Sequence, residues 1–155
     1  MRSFVVTMSL MFVAFSGFSE DAALMSRVTS GGMTPPEMSG WSSGITLFES
    51  GRVITSYCPN YATPCMTEEL AILSSKVMER IRKLAGEVST GELKFNDSPQ
   101  CTDLPTTSYR IMINGKDFIF AANARCQIGL LEDYPYADSL KTLLDNLGSL
   151  ESIGY

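Results

Sequence analysis

Histidine is absent from this chain. That absence excludes Ser-His-Asp and Cys-His hydrolases, HExxH metalloproteases and the imidazole proton shuttle, all of which depend on a ring that titrates near neutrality. It also removes a common zinc ligand. The four cysteines contain no C-x-x-C pair, so a structural zinc site has no support. Phosphate-cradling loops of the GxGxxG or GxxxxGK[ST] type are missing as well. Gly40-Trp-Ser-Ser-Gly44 matches G-x-S-x-G in letters. That motif works only as a strained strand-to-helix elbow with a histidine in reach, and it carries no weight here.

Basic residues are scarce. Twelve Lys and Arg stand against seventeen Asp and Glu, a formal charge of −5 with the two signs interspersed. Phosphate attraction needs clustered Lys and Arg, so nucleic acid and anionic membrane surfaces are poor partners for such a chain.

What is present begins with Arg2 and the apolar run Phe4–Phe15, with small residues around its end at Ala14, Ser16, Gly17 and Ser19. The run is shorter than the roughly 20 residues needed to span a bilayer. It has the pattern of a secretory signal, with cleavage expected after Ser16 or Ser19. Residues 1–19 are therefore read as a signal peptide and the protein as secreted or periplasmic. Cys58, Cys65, Cys101 and Cys126 all follow it, and an even count in an exported chain reads as two disulfides. Three pairings are open. Cys58–Cys65 with Cys101–Cys126 is favoured, because Pro59, Asn60 and Pro64 can turn the chain back within the first pair. The rival is Cys58–Cys126 with Cys65–Cys101.

Residues 20–44, rich in Gly, Ser and Pro, read as a flexible linker, and residues 45–155 as one α+β domain. Ile45–Tyr57 reads as a β-hairpin turning at Ser50-Gly51, with Glu49 opposite Arg52, Phe48 opposite Val53 and Leu47 opposite Ile54. Thr67 to Ala85 reads as a helix, capped by Thr67 and ended by Gly86. Its apolar stripe is Leu70, Leu73, Val77, Ile81 and Leu84. Glu92–Phe95 reads as a short strand. The clearest β signal is Thr106–Ala124, where Asn114-Gly115 suits a type I′ turn. Its register puts Ile111 beside Phe118 and Tyr109 beside Phe120. A second helix spans Pro135 to Leu147, with Ala137, Leu140, Leu144 and Leu147 as its buried stripe. The expected architecture is an antiparallel sheet of four to five strands, with two amphipathic helices on one face and two disulfides.

The chemistry left over is thin. Asp97, Asp103, Glu132 and Asp133 are candidate carboxylates for a hydrolase, and Asn96, Asp97 and Asp103 for calcium, although their spacing fits no EF-hand. Asn96-Asp-Ser98 is a formal N-glycosylation acceptor. The favoured function is a non-enzymatic binding or inhibitor-like module without cofactor or metal, contacting an extracellular or envelope protein. Its contact surface is expected at Tyr57, Pro59, Tyr61 and Pro64 around the first cysteine pair, where a rigid loop loses little entropy on binding. The alternatives are a carboxylate hydrolase or calcium-binding domain centred on Asp97 and Asp103, or a structural subunit of an envelope assembly.

Overall fold

A computed structural model of the chain describes residues 21–31, 40–60, 62–87, 93–95, 105–113, 115–124, 127–131 and 136–149. In chain order the elements are β1 (Ala23–Ser30), β2 (Ser42–Phe48), β3 (Arg52–Cys58), β4 (Met66–Ile72), α1 (Ser75–Gly86), β5 (Leu93–Phe95), β6 (Thr106–Ile113), β7 (Lys116–Ala124), β8 (Gln127–Leu131) and α2 (Ala137–Ser149). The strands form one sheet in the order β4-β3-β2-β1-β6-β7-β8-β5, with every neighbouring pair antiparallel. Two meanders, β1–β4 and β6–β8, meet at the β1–β6 seam, where Met25 lies opposite Ile111 and Arg27 opposite Tyr109.

The expectation of four to five strands with two disulfides is overturned. The sheet has seven strands of five to nine residues plus the three-residue β5. One disulfide, Cys58–Cys65, is found among the described residues; Cys101 and Cys126 lie outside them.

Three strands account for the difference. β1 lies inside the stretch that reads as a linker, β4 covers what reads as the first turns of a helix, and β8 follows directly on the second hairpin. Glu68 and Glu69 imitate a helix N-terminus in sequence. On an edge strand, whose outer side faces water, they cost little and discourage further pairing.

The first hairpin is offset by one residue from its expected register, with Leu47 opposite Val53 and Thr46 opposite Ile54. Gly51 is the cause. It takes φ +92°, its N–H donates to the Phe48 carbonyl at 2.9 Å, and the connection becomes a three-residue loop of Glu49, Ser50 and Gly51. In the second hairpin Ile111 does face Phe118, but a bulge between Tyr109 and Arg110 moves Ala121 opposite Tyr109. The Tyr109 and Phe120 rings stay in contact, 6.4 Å between centroids.

Alternation puts Met25, Ile45, Leu47, Val53, Tyr109, Ile111 and Phe120 on one face, and both helices bury their apolar sides there. α2 uses the expected stripe of Ala137, Leu140, Leu144 and Leu147. α1 does not. It buries Met78, Ile81 and Ala85, while Val77 is 41% exposed and Leu70 belongs to β4. The apolar arc of α1 is wider than the sheet covers, and in the sequence alone the row at its margin looks like its centre.

Candidate contact site on the β3–β4 hairpin

Tyr57 pairs with Met66 as the last rung between β3 and β4, and the next residues, Cys58 and Cys65, are bonded to each other. The pairing is the favoured local one. The loop beyond them is tied by Asn60, whose Oδ1 accepts from the Ala62 N–H at 2.9 Å and the Thr63 N–H at 2.8 Å. These bonds form an Asx turn inside a short disulfide ring and tie Asn60 to Ala62 and Thr63. From Ala62 to Glu69 the chain is exposed without a break. Met66, at the start of β4, is 61% exposed and Ile72, at its end, is 67% exposed.

Of the four expected contact residues, Pro64 is exposed, whereas Tyr57 and Pro59 are half-buried; Tyr61 lies outside the described residues. Tyr57 shares the sheet face of Thr55, the helix-bearing side. The sequence reading missed the strand character of β4 and the charge beside it. Arg52 Nε donates to Glu69 at 2.8 Å, and the guanidinium lies 3.8 Å from Asp21 and 5.8 Å from the centre of the Phe48 ring. Arg52 lies opposite Ile72 and Glu69 opposite Ile54, so the ion pair runs diagonally across the bulge in β4 and is visible only once the register is known.

Removing the staple tests how far it stabilises the hairpin. The Cys58→Ser/Cys65→Ser double variant is expected to lose about 2 kcal/mol in urea denaturation, because the closed loop is short. Full retention of stability would show that the hairpin holds its shape without the bond.

A second polar cluster joins α2 to the seam of the sheet. Asp145 accepts from Tyr109 Oη at 2.8 Å, from Lys141 Nζ at 2.8 Å and from Arg27 at 3.3 Å. Lys141 Nζ also lies 5.0 Å from the centre of the Tyr109 ring. Burial pushes the Asp145 carboxyl upward, but the donated hydrogen bonds and the neighbouring cations outweigh it and hold the group below the usual carboxylate range. Burial, followed by the hydrogen bond to Asp145, raises the Tyr109 phenol. Burial works to lower the Lys141 ammonium, and the Asp145 and Tyr109 interactions reverse that to a net rise. The shifts favour the ionised carboxylate, the protonated phenol and the protonated ammonium together, the charge states that keep these contacts. The cluster is an anchor for α2.

The anchor gives stability a definite pH dependence. Asp145, lowered in the folded state, stabilises above its unfolded pKa and loses that contribution as pH falls through the folded value. Tyr109 and Lys141, raised, stabilise below their unfolded values and lose that contribution as pH rises through the folded ones. Thermal melts are therefore expected to fall off in acid and again in alkali. Asp145→Asn should flatten the acid limb relative to the parent, and an unchanged acid limb would remove Asp145 from the account.

The other expected positions contribute little geometry. Asn96, Asp97, Asp103, Glu132 and Asp133 lie outside the described residues. Ser42, Ser43 and Gly44 of the G-x-S-x-G string sit inside β2, paired on both sides with β1 and β3, not at a strand-to-helix elbow. Among the described residues no three His, Cys, Asp or Glu side chains gather as a metal site. No family model matches the chain, and comparison with curated proteins returns no match.

Proposed function

We infer that this chain is a secreted or periplasmic binding module without catalytic activity, which contacts an extracellular or envelope protein through the β3–β4 hairpin. One observation carries the reading: Ala62–Glu69 is exposed throughout on a hairpin whose tip is closed both by a disulfide and by the Asn60 side chain. A surface fixed before binding loses little conformational entropy when a partner arrives. The disulfide is compatible with an oxidising compartment, and the apolar run at Phe4–Phe15 supplies the export signal. No helix among the described residues is long and apolar enough to cross a membrane.

The test is a photo-crosslinking side chain placed at Pro64 in cells that make the protein. A discrete adduct is expected from the parent. Tyr61→Ala should reduce its yield several-fold with the melting temperature unchanged. Equal yields from both proteins, or a diffuse ladder of adducts, would end the hairpin's role.

A further inference from the structure

The margin of α1 that the sheet leaves uncovered faces α2 across a groove. Val77, Ile81 and Leu84 from α1 and Leu140 and Leu143 from α2 line a cavity of 260 Å³, with Arg80 at its rim. A second cavity of 250 Å³ shares Arg80 and Leu84 and continues toward Lys83, Glu87 and Tyr136. The trough thus has an apolar trunk and a polar end. At that end two cations stand against one carboxylate, on a chain whose overall charge is −5. Neither Arg80 nor Lys83 takes part in an ion pair among the described residues, whereas Arg82 on the same helix is committed to Glu49 at 2.8 Å.

We propose that this interhelical groove binds a single medium-chain alkyl carboxylate, with its chain along Val77, Ile81, Leu84 and Leu143 and its carboxylate at Arg80 and Lys83. The trunk sets the size. A water takes about 30 Å³ of liquid volume and a methylene fills a similar space, so the trunk accommodates an aliphatic chain of roughly eight carbons. The head sets the sign, since an Arg and Lys pair at the mouth of an apolar slot favours an anion and disfavours a cation. The groove lies on different elements from the β3–β4 hairpin, so this proposal stands or falls separately from the protein-binding reading.

The experiment is an NMR titration of the oxidised full chain with decanoate, with decyltrimethylammonium as its charge-reversed counterpart. Saturable shifts at Val77, Leu84 and Leu143 are expected with decanoate, and binding at least about tenfold weaker with the ammonium compound. Arg80→Glu/Lys83→Glu should weaken decanoate by a similar factor while leaving the melting temperature of the free protein unchanged. Val77→Trp, which fills the trunk from an exposed position, should abolish the shifts without touching the cations. The proposal is overturned if decanoate gives no saturable shift below millimolar concentration, if the two amphiphiles bind equally, or if Val77→Trp binds like the parent. It is also overturned if only phosphatidylglycerol vesicles or an acidic amphipathic peptide engage the groove.

Discussion

Phe120→Ala is expected to lower the unfolding free energy by about 3–5 kcal/mol, the range for emptying an aromatic site in a core that cannot fully collapse. Phe120 is 0% exposed, lies on the bulged part of β7 and meets the Tyr109 ring. Its loss opens space beside the Tyr109–Asp145 anchor, so the cavity cost and the loosening of α2 act together. A small domain has about 5–15 kcal/mol in total, and the variant should therefore unfold at much lower guanidinium concentration. Ile119→Ala is the internal control. Its side chain points to the opposite face and is 38% exposed, so a change below about 1 kcal/mol is expected. Comparable losses at the two neighbours would mean that the alternation along β7 is misassigned.

Gly51→Ala should cost about 2–4 kcal/mol, because two costs add. The φ of +92° is unfavourable for any residue with a Cβ, by about 1–3 kcal/mol. The new methyl would also stand 2.8 Å from the Leu73 carbonyl oxygen and 3.3 Å from Met78 Cγ. That carbonyl is backbone and cannot swing aside, because the Leu73 N–H is itself held by the Gly51 carbonyl at 2.9 Å. Gly115→Ala separates the two effects. Gly115 has φ +73°, but a methyl added there would meet nothing within 4 Å, so only the conformational cost should appear. Chemical denaturation of both variants measures the difference, and equal losses would show that the contact with Leu73 contributes nothing.

Where the sequence was legible, a single element carried its own signal. α2 announces itself by four apolar residues at helical spacing, and all four are buried. The β6–β7 hairpin follows from Asn114-Gly115 between apolar strands, and the Cys58–Cys65 bond follows from proximity and turn-forming residues. Where the reading failed, the deciding partner was remote. β1 lies in a stretch whose Gly, Ser and Pro content reads as a linker, and it becomes a central strand only through β2 and β6 on either side and Asp145 of α2, which receives its Arg27. β4 could be told from a helix only by the presence of β3 beside it, and the bulges along the β3–β4 and β6–β7 pairs shift registers that local patterns cannot resolve. The same holds for the candidate sites. The hairpin tip was visible because it is local. The interhelical groove was not, since it exists only where side chains of α1 and α2, remote in sequence, line one surface.

The β1–β6 seam also sets the order in which the chain can fold. Each meander closes through neighbouring strands, whereas the seam joins residue 25 to residue 111 and must close most of the chain in one step. The entropy of that closure is lost before the seam's own contacts repay it, so seam formation should limit the folding rate. A meander that forms ahead of the seam leaves β1 or β6 as a long, unpaired inner edge. Two chains meeting at that moment can exchange halves across the same register. A slow-forming exchanged dimer in refolding mixtures, increasing with protein concentration, is the species this strand order predisposes the protein to make.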